Sequence, residues 1–252
     1  VIEPAAYTRR RLARIADDAL RRAGALGAVP TPLDAVAQAA GIEVMPVAAL
    51  GRADVPLLGA LWFEERALFL ERRQSPARRR FTQAHELMHA LCPWHRGVLR
   101  ADTAAELFGP ARLAIEAEAN AGAGLLIFGG SRFDGEPLSM PRALALAAAH
   151  QASVHATLVH SVQSDGGRSA LLVAGRFPQR DGSLPVWRSI RSPAFGRARL
   201  PTTLAAGSPL RELAERARTT REPPPATVRI GGRALTAEAQ DNRHAMLVLL
   251  TG

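Results

Sequence analysis

Apolar positions fall three and four apart over several long stretches of the first 165 residues, and shorter β-type runs take over beyond them. Pro4–Ala23, closed by Gly24, reads as a helix with Leu12, Ile15, Ala16, Ala19 and Leu20 as its buried stripe. Thr31-Pro32-Leu33-Asp34 reads as a second helix start: Thr31 as N-cap, Pro32 in the first turn, Asp34 completing the cap. Leu33, Val36, Ala37 and Ala40 give that helix its face, and Gly41 ends it. Ile42–Val47 reads as a strand. Leu57–Phe63 and Ala67–Glu71 read as a hairpin around Glu64-Glu65-Arg66. Residues 77–92 hold no Gly or Pro and read as a core helix, with Phe81, Ala84, Leu87, Met88 and Leu91 apolar and Pro93 as the stop. Trp94–Pro110 reads as a polar loop or short helix, Ala111–Phe128 as a long helix with a small-residue stretch Ala121-Gly122-Ala123-Gly124, and Gly129–Pro137 as a loop. Two serine-capped helices follow, Ser139–His150 and Ser153–Ser164.

Asp165-Gly166-Gly167 marks a change of pattern. Ser169–Phe177, Leu184–Ile190, Ala226–Ile230 and Ala245–Leu250 read as strands, with one helix, Pro209–Arg218, among them. Glu222-Pro223-Pro224-Pro225 reads as a short stiff connector. The expected organisation is a domain over residues 1–130, a helical segment over 131–165 and a mixed α+β module over 166–252.

Composition narrows the function classes. With 252 residues and 47% hydrophobic content, a sizeable core is available. No run approaches the ~20 apolar residues of a membrane span, and Tyr7–Arg14 is basic without a following apolar run, so no leader is expected. The single cysteine, Cys92, allows no internal disulfide and points to the cytoplasm. The net charge is +9, and all 32 basic residues are Arg. Such a charge invites a nucleic-acid reading. The Arg residues are spread along the chain, however, with no aromatic-basic interleaving, so direct nucleic-acid binding is not expected.

The chemistry centres on His85-Glu86-Leu87-Met88-His89. Two histidines four apart on a helix share a face and can direct two imidazoles at one ion. Glu86, one step round, is placed to hold a water activated by that ion, take its proton and pass it to a leaving amine. This is the pattern of a zinc-dependent peptidase, with manganese as a possible substitute. The plainer alternative, two hydrogen-bonded core histidines, fits poorly with a polar line on an otherwise apolar helix.

A catalytic zinc usually takes three protein ligands, so a third must be found. His95 stands at the spacing of the metzincin pattern, but Cys92 occupies the turn position where that pattern has glycine, and Pro93 constrains it further. Without ligation, His95 would be an exposed loop histidine. The long helix offers Glu116 or Glu118, about 200° apart, so only one can face the metal helix. Glu116 shares its face with Leu113, Asn120 and Ala123, where Asn120 can serve as a supporting amide; Glu118 suits a solvent-facing charge. The strands before the metal helix can pair with a substrate backbone by strand addition.

Residues 76–91, with Phe81-Thr82-Gln83-Ala84 leading into His85-Glu86-Leu87-Met88-His89, then Glu116-Ala117-Glu118-Ala119-Asn120 and the apolar Leu125-Leu126-Ile127, resemble the ImmA/IrrE family of metallopeptidases. The resemblance covers roughly residues 30–165. It departs where the family's helix often ends in Leu-Met-Pro and this chain has Ile127-Phe128-Gly129. It implies an α+β fold: a zincin-like metallopeptidase domain, a helical middle and, as in the IrrE branch, a C-terminal GAF-like module. It implies that His85, His89 and Glu116 bind the metal and that Glu86 is the general base. It further implies site-specific cleavage of a helix-turn-helix transcriptional repressor in a stress response. A metal-binding sensor module without proteolysis is the competing expectation, and a nucleic-acid-binding protein the remaining one.

Overall fold

The structure, a computed structural model, describes residues 6–52, 55–99, 109–129 and 136–252. The chain divides into two compact units, Val1–Ser131 with Ala148–Ser153, and Arg132–Ala147 with Val154–Gly252. Among the described residues there are eight α-helices, and the fold is α+β.

In the first unit, α1 (Ala6–Arg22) and α2 (Leu33–Ala39) precede a small sheet. Strand β1 (Glu43–Val47) runs parallel to β5 (Ala67–Glu71), and β4 (Gly59–Trp62) pairs antiparallel with the other side of β5. The short β2 (Leu50–Arg52) and β3 (Val55–Leu57) form a separate ribbon within the stretch between β1 and β4. Helices α3 (Pro76–Leu91) and α5 (Pro110–Phe128) pack together, and α4 (His95–Leu99) lies in the segment between them. The expected stripe of α1 is buried: Leu12, Ala16, Ala19 and Leu20 are at most 3% exposed and join Leu68, Leu70, Leu87, Met88, Leu126 and Phe128 in one core. Arg66 closes the β4–β5 turn with a positive φ and donates to the Gly41 carbonyl at 2.9 Å.

The start of α2 differs from expectation. Pro32 occupies the N-cap and no side chain caps the helix. Thr31, one residue upstream and fully buried, places its hydroxyl 2.9 Å from the Ile127 carbonyl at the end of α5, and Asp34 accepts from Gln83 Nε2 at 2.7 Å. Both groups meet partners distant in sequence, and tertiary contact wins over the local cap. Leu113 also departs from its expected apolar role. It is 54% exposed, on the open side of α5.

The second unit holds α6 (Met140–Ala149, whose last two residues belong to the first unit), α7 (Val154–Ser164), β6 (Ser169–Ala174), β7 (Leu184–Arg191), β8 (Thr203–Leu204), α8 (Pro209–Thr219), β9 (Ala226–Ile230), β10 (Arg233–Asp241) and β11 (Met246–Thr251). Its six strands form an antiparallel sheet in the order β8-β7-β6-β11-β10-β9. Side chains alternate between faces. Ala170, Leu172, Met246 and Val248 meet Leu210 and Leu213 of α8, while Leu171, Val173, Leu247 and Leu249 meet Ala143, Leu158 and Val162 of α6 and α7. The central strands are therefore covered on both sides.

Strands β8 and β10 were not anticipated. In β10 the inward set is Leu235, Ala237 and Ala239, and alanine hides a two-residue alternation that larger side chains would have displayed. The usable signal was Gly231-Gly232. Both residues take positive φ and join Ile230 to Arg233 as a two-residue hairpin turn. The stretches 100–108 and 130–135, part of the expected loops, lie outside the described residues.

Candidate metal centre

Helix α3 begins where Ser75 is extended and Pro76 fills the first position, and it ends where Cys92, held extended before Pro93, leaves the helical region. Ala84, Leu87 and Met88 are fully buried and set the rotation of the helix. That rotation points His85 and His89 at α5. The approach of the helices is close at Gly122, where an added Cβ would lie 2.6 Å from Met88 Cγ. Glu116, six residues earlier on α5, is thereby brought against the two imidazoles.

His85 Nε2 lies 3.1 Å from Glu116 Oε2 and 3.1 Å from His89 Nε2, and His89 Nε2 lies 3.6 Å from Glu116 Oε2. A tetrahedral zinc with bonds of about 2.0–2.1 Å requires ligand atoms about 3.3 Å apart. The three atoms fit that spacing, and this trio forms a cluster able to hold a metal ion. Each side chain is also held from behind. Asn120 Oδ1 lies 3.2 Å from His85 Nδ1, and Arg112 Nε donates to Glu116 Oε1 at 3.0 Å, leaving Oε2 for the cluster. Burial opposes ionisation of Glu116, but the bond from His85 and the two neighbouring imidazoles outweigh it and hold the carboxyl well below its usual range. Burial likewise opposes the charged form of His85. Its bonds to Glu116 and Asn120 and the nearby carboxylates outweigh that and raise its pKa, whereas burial carries His89 downward.

Glu86 sits between the cluster and the sheet. Burial raises its pKa, with Glu116 adding to the rise while His85 and Arg112 pull against it. Such a carboxylate is a better proton acceptor than an exposed one. Its other neighbour is β4, which among the described residues pairs only with β5 and leaves its outer edge open. A Cβ at Gly59 of β4 would stand 3.0 Å from Glu86 Cγ and 2.5 Å from Thr82 Cγ2. Gly59 thus lets the edge strand lie directly on the carboxylate.

The two rival ligands are elsewhere. His95 is fully buried on α4, not exposed in a loop, and stands behind His89 with its Nδ1 2.9 Å from His89 Nδ1. Glu118 does not face solvent. Its side chain is 16% exposed and accepts from His95 Nε2 at 3.0 Å and Trp94 Nε1 at 2.7 Å. Arg112 and Gly59 escaped the reading of the sequence. For Arg112 the available signal was its position one helical turn before Glu116. Cys92 is buried, which pushes its thiol up to about 12, the environment of an inert structural cysteine.

Residues 38–160 match the family model Peptidase_M78, described as the IrrE N-terminal-like domain. The segment is similar to an IrrE N-terminal-like domain. The resemblance seen in the sequence is borne out, and a zincin-like peptidase fold accords with it. The matched segment contains every residue of the cluster. Among solved structures, a Mycobacterium tuberculosis transcriptional regulator has a similar fold, with a TM-score of 0.59 and 14% identity over 96% of this chain and 75% of that one. None of the curated proteins compared with the chain matches it. No helix among the described residues is long and apolar enough to cross a membrane.

Proposed function

We propose that the chain is a metal-dependent endopeptidase. The observation that carries this reading is the trio His85 Nε2, His89 Nε2 and Glu116 Oε2 at 3.1–3.6 Å, with Glu86 beside it. Zinc suits two imidazoles and a carboxylate, and manganese is the alternative. Bound there, the ion would polarise the scissile carbonyl and make water acidic enough to attack at neutral pH.

The chain's own groups supply the rest. A substrate segment extends along the open edge of β4, adding a strand and presenting its backbone over Glu86. The Glu86 carboxylate accepts the proton of the attacking water and returns it to the leaving amine nitrogen. Arg112 and Asn120 hold Glu116 and His85 at their outer atoms, so the ligand geometry is set before substrate arrives. Exposed Leu113 and Trp62 offer apolar contact for side chains of the bound segment.

The substrate we favour is a helix-turn-helix repressor cut at one site in a stress response, in the cytoplasm. The support is the family resemblance, together with a fold neighbour that is a transcriptional regulator. Incubating the zinc-loaded protein with candidate repressors and reading products by mass spectrometry tests this. Glu86→Gln should retain metal and lose cleavage by at least about a thousandfold. Unchanged cleavage by that variant would sink the mechanism, and function without any cleavage would favour a metal-binding sensor.

A further inference from the structure

The cluster leaves Trp94, His95 and Glu118 unused, although all three are pinned together directly behind it. His95 is fully buried and both ring nitrogens are engaged, Nε2 with Glu118 Oε2 at 3.0 Å and Nδ1 with His89 Nδ1 at 2.9 Å. A carboxylate can only accept, so His95 Nε2 must carry the proton of that contact. A neutral His95 then has a bare Nδ1, which can only accept in turn. The proton between the two rings therefore belongs to His89 Nδ1. A neutral His89 with a proton on Nδ1 has its lone pair on Nε2, the atom facing His85 and Glu116. The opposite assignment would place a proton on Nε2, where no metal could bind.

We infer that Glu118 and His95 form a buried relay that locks His89 in its Nδ1–H tautomer, making His95 a positioning residue for the metal site. The inference rests on the metal-site reading above. The far end of the relay is also fixed. Glu118 Oε2 accepts from the Trp94 indole at 2.7 Å, and the Arg11 guanidinium lies 3.6 Å from the centre of the Trp94 ring. Helix α5 contributes twice, Glu116 to the ligands and Glu118 to the relay. Two residues apart on a helix, they face different sides, so one helix clamps His89 from front and back. His85 has no such arrangement. Its Nδ1 meets only the neutral Asn120 amide.

The test uses the full chain with histidine nitrogens labelled. Long-range proton–nitrogen correlation spectra of the metal-free protein read the His89 tautomer. Competition against a chromophoric chelator reads zinc affinity, and thermal unfolding without metal reads the fold. Wild type should show the proton on His89 Nδ1. His95→Phe should lose that preference and bind zinc about 10–100-fold more weakly. Glu118→Gln keeps an accepting oxygen for His95 and Trp94 and should stay within about threefold of wild type, whereas Glu118→Leu should follow His95→Phe. A wild-type His89 protonated at Nε2, or His95→Phe binding zinc as tightly as wild type, overturns the relay. The wild-type spectrum decides even if the variants fail to fold. Wild type that binds no zinc while keeping the Nδ1–H tautomer would instead remove the metal-site reading, and the relay's purpose with it.

Discussion

Replacing Gly59 by alanine tests how closely the edge strand and Glu86, the proposed general base, are fitted. The new Cβ would lie 2.5 Å from Thr82 Cγ2, 3.0 Å from Glu86 Cγ and 3.2 Å from Glu86 Oε1. Carbon atoms in contact prefer about 3.5–4.0 Å, so roughly 1 Å must be found. Thr82 cannot readily yield. Its hydroxyl lies 2.8 Å from Gln74 Oε1 and 3.0 Å from the Arg78 carbonyl, and Gln74 Nε2 in turn donates to the Leu58 carbonyl at 2.7 Å, beside Gly59 itself. Strand and carboxylate must therefore move apart. Overpacking of this size costs about 1–3 kcal/mol of stability, and a reacting group displaced by about 1 Å loses up to about a hundredfold in rate. Gly59→Ala should thus lower kcat/KM about 10–100-fold and lower the thermal midpoint, with zinc affinity within about threefold of wild type because no ligand is touched. Thr82→Ser removes the methyl group that causes the shortest contact and keeps the hydroxyl. Combined with Gly59→Ala, it should recover most of the lost midpoint. A Gly59→Ala protein with wild-type midpoint and wild-type turnover would refute the fitted contact.

Glu116→Gln should weaken zinc binding by at least about tenfold and remove most of the thermal stabilisation that excess zinc gives, which for wild type at a hundred times Kd is about 2.7 kcal/mol; equal zinc-induced shifts in both proteins would exclude Glu116 as a ligand. Thr31→Val should destabilise the protein by about 1–2 kcal/mol, because the Ile127 carbonyl loses a buried donor and, among the described side chains, keeps His150 Nδ1; urea midpoints measure this, and no change would contradict the buried bond. Asp241 accepts from Arg176 at 2.7 Å and from the Arg243 N–H at 2.8 Å; burial opposes its ionisation, but these bonds win and hold its pKa below the ordinary value. A depressed folded pKa contributes stability above the unfolded value of about 4 and loses it as pH falls through the folded one. Arg176→Gln should therefore cost about 1–3 kcal/mol at neutral pH, with the gap to wild type closing below about pH 4; a constant gap across that range would contradict the linkage.

The metal helix and its neighbours were legible because their signals are local. A proline start, a proline stop and two histidines one turn apart need no knowledge of distant contacts. Glu116 was legible through the family resemblance, whereas spacing alone left it open against Glu118. What stayed hidden was mostly long-range. Thr31 meets a carbonyl 96 residues away, and the value of Gly59 lies in what it does not touch. His95 and Glu118 were judged as possible ligands or surface groups, because nothing in their spacing shows that each buries the other. Strand β10 stayed hidden for a compositional reason: Ala237 and Ala239 carry too little hydrophobic contrast to display a period of two.

The polypeptide passes between the two units three times, since Ala148–Ser153 returns to the first after Arg132–Ala147 has joined the second. In that return, His150 bonds the Ile127 carbonyl and its ring lies 5.0 Å from that of Phe128, while Ala152 packs on the core. A chain shortened at the first passage would lose these six residues and expose the floor beneath the end of α5. The first unit is therefore not a beginning that can be snipped off. Supplying the missing hexapeptide segment in trans, or grafting it behind a linker, is the route to obtaining that half alone.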